Sequence, residues 1–216
     1  MGTIRDINGN YVGEIDGAEI LGKPFLCVYG KTKPRHWDET VIERPVAEGL
    51  TAYIRFEASK KVNELVSKDA GASIGGTILA KRHILEQFAI DEAELWEQAE
   101  KNTSAELENM NKVIAKMSGL PEEILPDMPL YVLGNKPFSA GILGKEQALK
   151  DIYDNVGEFI IIPSSIHELI VVPKSLGIPA EEVQKMVVEV NGTVVAEIDQ
   201  LSDDVYAYDA EGLHVA

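Results

Sequence analysis

The segment 159–173, FIIIPSSIHELIVVP, constrains the fold more than any other stretch of the chain. Its two apolar runs, 159–162 and 169–172, are continuous rather than alternating, which is typical of strands covered on both faces. A polar loop, 163–168, connects them. The segment therefore predicts two paired strands in the middle of a sheet, with the loop mounted on this rigid scaffold.

The rest of the chain mixes strand and helix patterns. Alternating apolar and polar residues predict a strand over 50–58, and shorter apolar runs predict further strands. These further strands are expected at 25–29, 73–79, 130–133 and within the tail 203–215. Because there is no regular βαβ rhythm, we expect an α+β fold, with about four to five helices packed on a mixed, largely antiparallel sheet.

Helical spacing of apolar residues appears in several segments. These are 81–88, a segment opening at Asp91, a segment opening at Ser104, 145–156, and a segment opening at Pro179. Asp91 and Glu94 have the spacing of a capping box. The helix capped by Ser104 is expected to bury Leu107, Met110, Ile114 and Met117. The last helix is expected to bury Val183, Met186, Val187 and Val190.

The front of the chain differs from the rest. Asn8-Gly9 is a favoured two-residue turn between short apolar runs, so it predicts a small hairpin. We therefore expect a hairpin segment over 1–24 and a single α+β domain over 25–216. The proline-rich stretch 120–129 is the best internal break, but no change of composition follows it.

The charge balance narrows the class of partner. The chain has 36 acidic and 20 basic residues, a formal net charge of −16. This excess disfavours electrostatic binding to nucleic acid or to an anionic membrane. A protein partner selected by charge would be basic, and the alternative is that the acidic surface serves solubility alone.

Cysteine usage and apolar runs suggest a compartment. Cys27 is the only cysteine, so neither an intramolecular disulfide nor a cysteine zinc site is expected. The opening residues lack the charge and apolar core of a secretory signal, and no run has the length of a membrane span. We expect a cytoplasmic protein.

The loop 163–168 allows two interpretations. In a hydrolase, Ser164 or Ser165 would be the nucleophile, His167 its base, and Glu168 or Asp203 the group that orients the base. In a structural turn, the serine hydroxyls bond neighbouring backbone amides, while His167 packs or bonds a carbonyl. Residues this close in a tight turn rarely form a catalytic set, so the sequence favours the turn and no catalytic residue is assigned.

Other possible sites are incomplete. His167 and Glu168 lack the second histidine of a zinc helix motif, and the remaining histidines are scattered. The glycine-rich stretches 71–76 and 141–145 lack phosphate-loop spacing. The acidic residues of the tail lack the glycine and terminal glutamate of a calcium loop. We therefore expect no metal and no cofactor. Trp37 is either a recognition spot or the edge of a core.

Three ordered motifs carry a family resemblance. IIIPSSIHELIVVP, MVVEVN and LSDDVYAYD follow one another, with PLYVLGNK and GTILAKRHIL upstream. From about residue 25 to its end, the chain resembles a family of Firmicutes proteins that carry a domain of unknown function. The resemblance implies a cytoplasmic protein, often encoded on phages or conjugative elements, with no established activity and no known catalytic residue. Family members usually have a longer region in front, from which residues 1–24 depart.

Three functions are compatible with these features. The first is a non-enzymatic binding protein, such as an accessory or anti-defence factor of a mobile element, that engages a basic, nucleic-acid-handling host protein. The second is a hydrolase that uses Ser165 and His167. The third is a small-ligand sensor with a pocket between the sheet and the helices at 91–118. The charge and the lack of a complete catalytic set favour the first.

Overall fold

A computed structural model describes residues 2–5, 11–15, 21–59, 76–126 and 129–216, the first two ranges as backbone only. The fold is α+β, as predicted, with antiparallel sheets. Its strands are β1 Gly2–Arg5, β2 Tyr11–Ile15, β3 Leu21–Tyr29, β4 Glu43–Ala47, β5 Leu50–Ala58, β6 Thr77–Leu79, β7 Glu106–Asn109, β8 Tyr131–Gly134, β9 Phe159–Ile162, β10 Leu169–Pro173, β11 Tyr206–Asp209 and β12 Gly212–Val215. Its α-helices are α1 Arg82–Phe88, α2 Glu92–Asn102, α3 Met110–Ser118, α4 Glu146–Val156 and α5 Ala180–Thr193.

The chain divides into two compact units. The first contains Met1–Leu26, Asp38–Ile42 and Tyr53–Asn102, and the second contains Cys27–Trp37, Glu43–Ala52 and Thr103–Ala216. The predicted division into 1–24 and 25–216 stays a prediction. β1 and β2 pair antiparallel, as the hairpin requires, while the predicted turn at Asn8-Gly9 lies outside the described residues.

The first unit has its own apolar core. Buried residues of β3, β5, α1 and α2 form it, together with Ile42 and Ala80. The cap predicted for α2 is present, since the amide of Glu94 donates to Asp91 Oδ1 at 2.9 Å. The core thus joins helices to strands, as the mixed pattern of the sequence indicated.

A four-stranded sheet has the order β3-β5-β4, with β6 paired to β5. β5 has the bounds that its alternation predicted. β3 starts at Leu21, four residues before the predicted start, and therefore passes through the Gly-Lys-Pro sequence. Gly22 allows this extension, because a Cβ at its position would lie 2.6 Å from the carbonyl oxygen of Glu57. β4 was not predicted.

A six-stranded sheet in the second unit has the order β12-β11-β9-β10-β8-β7. β9 and β10 pair antiparallel and have a strand on each outer side, which confirms the prediction of two central strands. The tail forms a hairpin of two strands, β11 and β12. Buried residues of β9 and β10 pack with Val183 and Val187 of α5 in one cluster.

The helices of the second unit confirm one prediction and correct two. α4 has the predicted position and ends at Gly157, whose φ of 75° suits glycine. The helix predicted from Ser104 is wrong in its first turn, because 106–109 pairs with β8 as strand β7. The helix starts at Met110, and Met117, expected to be buried, is 84% exposed.

The second correction concerns α5. The helix follows Pro179 and buries Val183 and Val187, as predicted. Met186 and Val190 were expected on the same buried face, but they are 54% and 43% exposed. The helix therefore covers the sheet with only part of its apolar surface.

Candidate functional site

Ser165 organises the tip of the β9–β10 hairpin. Its hydroxyl oxygen accepts hydrogen bonds from the backbone amides of His167 at 3.1 Å and Glu168 at 3.2 Å. Its own amide donates to the carbonyl of Glu168 at 3.0 Å. These contacts close a turn by the side-chain-to-backbone bonding that serine favours in loops. The contacts with backbone amides that the sequence predicted for the serine hydroxyls are therefore present for Ser165.

Ser164 makes weaker use of its side chain. Its hydroxyl lies 3.4 Å from Glu168 Oε1, and its amide donates to the carbonyl of Ile162 at 2.9 Å. Within the described residues, neither serine hydroxyl is hydrogen-bonded to the imidazole of His167. The first contact that a serine hydrolase needs between nucleophile and base is thus not formed in this arrangement.

His167 joins the hairpin tip to a second loop. Its Nδ1 accepts a hydrogen bond from the backbone amide of Phe138 at 3.1 Å, and the centres of the two rings are 5.3 Å apart. An Nδ1 that accepts carries no proton, so the neutral ring has its proton on Nε2. The sequence predicted that His167 packs or bonds a carbonyl; its ring lies beside that of Phe138, and its hydrogen-bond partner is an amide donor rather than a carbonyl. This bond occupies the Nδ1 lone pair.

Asp199 places a carboxylate near the imidazole. Its Oδ1 lies 3.7 Å from His167 Nε2, and its carbonyl accepts from the amide of Ile166 at 2.9 Å. The sequence named Glu168 or Asp203 as the orienting group, but Glu168 Oε1 lies beside the Ser164 hydroxyl and Asp203 has other partners. It accepts from Asn191 Nδ2 at 3.0 Å and forms an ion pair with Lys31 at 2.5 Å.

The Asn191 hydrogen bond, and then Lys31, lower the pKa of the Asp203 carboxyl from its ordinary value. A carboxyl whose pKa is lower in the folded than in the unfolded state stabilises the fold when the pH is above its unfolded-state pKa. This stabilisation is lost as the pH falls through the folded-state pKa. The side chain of Asp203 is 43% exposed, so solvent screens the effect. Asp203 therefore anchors the end of α5.

The loop that meets His167 has an uncommon backbone. Asn135 and Phe138 have φ values of 76° and 63°, in the left-handed region that residues other than glycine rarely adopt. The buried hydroxyl of Ser139 lies 2.8 Å from the carbonyl of Lys136 and 3.1 Å from that of Gly134, which fixes the loop. Phe138 and Asp199 are thus parts of this cluster that the sequence did not indicate.

The remaining histidines and Trp37 have other surroundings. His36 and His83 are exposed, and His214 contacts Gly212 and Asp209 in the β11–β12 hairpin. Among the described residues, no three histidine, cysteine or acidic side chains are placed to hold a metal ion. The ring of Trp37 packs edge-on against that of Tyr29, with the ring centres 4.6 Å apart.

Of the two glycine-rich stretches, the structure describes the second in full. Residues 71–75 lie outside the described residues. The second stretch lies in the short 3-10 helix Ser139–Gly144, where Gly141, Ile142 and Leu143 are buried. Lys145, which follows it, donates from Nζ to the carbonyl of Thr103 at 3.1 Å. A buried turn of this kind does not present its amides to a phosphate.

One accessible apolar feature is a row of side chains along α5 and at its end. Met186, Val190 and Val194, which we name the α5 stripe, recur every fourth residue, and Val194, which directly follows the helix, is 77% exposed. Residues spaced in this way are neighbours on one helix face. The acidic residues Glu182 and Glu189 are exposed beside Met186, four positions before it and three after it.

Two further surface features lie in the second unit. A shallow groove, open to solvent, lies along α5 and is lined by Glu181, Gln184, Lys185 and Val188. A second apolar patch lies at the end of α3 and in the residues after it, and consists of Met117, Leu120 and Ile124. The small-ligand pocket predicted beside 91–118 stays a prediction.

The fold and this cluster define an α+β protein whose conspicuous polar loop is organised as a structural turn, and whose last long helix leaves apolar side chains on the surface. A family model matches residues 64–210, so the chain belongs to DUF5688, a family of unknown function. No curated protein and no solved structure matches the chain. Among the described residues, no helix has the length and apolar character needed to cross a membrane.

Proposed function

We propose that this chain is a non-enzymatic binding protein that engages a basic protein partner. The observation that carries this proposal is the α5 stripe, three exposed apolar side chains on a protein with a net charge of −16. Apolar contact supplies affinity, whereas an acidic surround speeds association with a basic partner and disfavours acidic ones. The two properties together suit selective protein binding.

The hairpin tip supports a binding role over hydrolysis. The hydroxyl of Ser165 is engaged by two backbone amides, and Nδ1 of His167 by a third. A nucleophile and its base would have to leave these partners before they could act on a substrate. No observation favours the hydrolase in a corresponding way.

The wider setting follows from the resemblance of the three motifs. We propose a cytoplasmic protein of a Firmicutes mobile element, acting as an accessory or anti-defence factor. Its partner would be a basic host protein that handles nucleic acid, because an acidic protein competes with nucleic acid for a basic surface.

A salt-dependent capture experiment tests the proposal. The full chain is immobilised and exposed to host lysate at about 0.05 M and about 0.5 M salt, beside an unrelated protein of similar negative charge. We expect a basic protein that this chain retains and the control does not, that high salt releases, and that added duplex DNA displaces. Absence of such a protein, or retention that ignores salt, would refute the proposed partner class.

A further inference from the structure

The α5 stripe is distinct from the face that α5 buries. Val183, Val187 and Asn191 are buried and also recur every fourth residue. Three residues after each of these, in the same order, come Met186, Val190 and Val194. They form a parallel row beside the buried one. Single exposed apolar residues are common, but a row over successive turns forms a continuous ridge that another helix can contact.

The segment after α5 folds back on the end of the helix. Gln200 Nε2 donates to the carbonyls of Asn191 at 2.7 Å and Val195 at 2.9 Å, so the chain folds back on the end of the helix. Ile198 lies within this returning segment and is exposed.

The charged residues around the α5 stripe are mostly acidic. Between residues 178 and 199 the chain has five acidic residues and one basic residue, Lys185. Glu182 and Glu189 are both exposed on the side of Met186 that faces away from the buried row. A partner that covers the stripe must therefore place its flanking side chains against carboxylates.

This pattern argues against a second copy of the chain as the occupant. Two copies that packed stripe against stripe would bring the carboxylates of Glu182 and Glu189 towards their equivalents. Each copy also has a net charge of −16. Like charges placed opposite one another at an interface are unfavourable, so the complementary occupant is basic.

We propose that the α5 stripe docks a basic amphipathic helix of the partner protein. Apolar side chains at every third or fourth position of that helix pack on Met186, Val190 and Val194. Its lysine or arginine residues lie opposite Glu182 and Glu189. A helix fits better than an extended strand, because the backbone hydrogen bonds of α5 are made within the helix and offer no edge for strand pairing. This inference rests on the proposed function and assigns its binding surface.

The test uses a defined probe and the full chain. The probe is a fluorescent helical peptide of about 18 residues, with leucine along one face and lysine on the other. One control peptide replaces every lysine with glutamate, and another scrambles leucine and lysine at constant composition. We expect saturable binding of the amphipathic lysine peptide, measured by anisotropy, and at least tenfold weaker binding of both controls.

Matched protein variants locate the site. Met186→Glu is expected to weaken binding of the lysine peptide by about tenfold, although the new carboxylate adds attraction for lysine. Met117→Glu, the same change at an exposed methionine of the other apolar patch, should leave the dissociation constant unchanged. Replacement of both Glu182 and Glu189 with glutamine should weaken binding at low salt and have little effect at high salt. Circular dichroism checks that each variant keeps the fold.

The outcomes separate the inference from the proposed function. Equal binding of the lysine peptide by Met186→Glu and wild type overturns docking on α5 but leaves a basic partner possible. Loss of binding in Met117→Glu alone assigns the other patch instead. No binding of any lysine peptide contradicts both proposals. A wild-type dimer in sedimentation that Met186→Glu dissociates would show that a second copy occupies the stripe.

Discussion

The β9–β10 hairpin and α5 are both rich in aliphatic residues, yet they use them differently. In the hairpin, nearly every strand residue is buried between neighbouring strands and packed helix. In α5, Val183 and Val187 are buried whereas Met186 and Val190 are exposed. Apolar composition alone therefore does not reveal whether a surface is satisfied within the chain. The helix keeps apolar surface that is partly exposed to solvent.

The polar groups of the two regions show the reverse relation. The hairpin tip contains the serines and histidine that drew attention in the sequence, but their polar atoms serve the turn and the adjoining loop. α5 contains no residue set that suggests chemistry, yet it presents accessible apolar and acidic side chains. The polar motif of the hairpin thus makes its contacts within the chain, whereas α5 leaves side chains accessible to a partner.

The largest expected difference in stability is between a truncation in the buried core and a truncation in the α5 stripe. Phe159→Ala should lower the free energy of unfolding by about 4 kcal/mol, since Phe159 is fully buried and its truncation leaves a cavity. Met186→Ala, its surface counterpart, should change stability by less than about 0.5 kcal/mol. Denaturant unfolding measures both changes. Comparable losses would mean that Met186 is covered in the folded chain.

A sharper comparison uses the same substitution twice on one helix. Val187→Ala should cost about 2 kcal/mol, because the side chain is buried against the sheet. Val190→Ala, three residues further, should cost no more than about 0.5 kcal/mol. Thermal unfolding at equal protein concentration measures the pair. Similar costs at both positions would remove the distinction between the buried row and the α5 stripe.

The hairpin tip provides the next contrast. Ser165→Ala removes the acceptor of two backbone amides and should cost about 1 kcal/mol. Ser164→Ala removes only a 3.4 Å contact and should cost about 0.3 kcal/mol or less. A fluorophosphonate probe should label wild type and both variants equally weakly. Labelling that disappears with Ser165→Ala would instead support the hydrolase hypothesis.

The smallest effect concerns Gly192, in the last turn of α5. Gly192→Ala should raise stability by about 0.5–1 kcal/mol, because a Cβ there meets no atom within 4 Å and alanine favours the helix. Gly177→Ala is the control, since its φ of 67° strains any side chain, and it should destabilise the protein by about 1 kcal/mol. Destabilisation by Gly192→Ala would indicate that the end of the helix is covered.

The sequence predicted elements well where the local pattern and the tertiary contacts agree. The alternation of β5 and the continuous runs of β9 and β10 survive in the structure with little change. The first turn of the helix predicted from Ser104 is wrong because Leu107 fits a helical spacing but pairs with Leu133 of β8 instead. Pairing between distant strands overrode a local preference, which periodicity alone cannot reveal.

The site shows a similar limit. The turn made by Ser165 was predictable because its partners are two and three residues away. The contact between His167 and Phe138, 29 residues apart, depends on how two loops meet. Which of two adjacent apolar rows of α5 is buried also depends on the sheet beneath it. Sequence periodicity identifies the apolar side of a helix but not how far its neighbours cover it.

The central claim is that α5, and not the hairpin tip, is the binding surface. A titration of the isotopically labelled chain with the amphipathic lysine peptide, followed by amide chemical shifts, compares both regions in one sample. We predict that the largest shifts occur at amides between Met186 and Val194, while those of Ser164 to Glu168 keep their positions. Shifts centred on the hairpin tip, or no shifts at a saturating peptide concentration, would contradict the account.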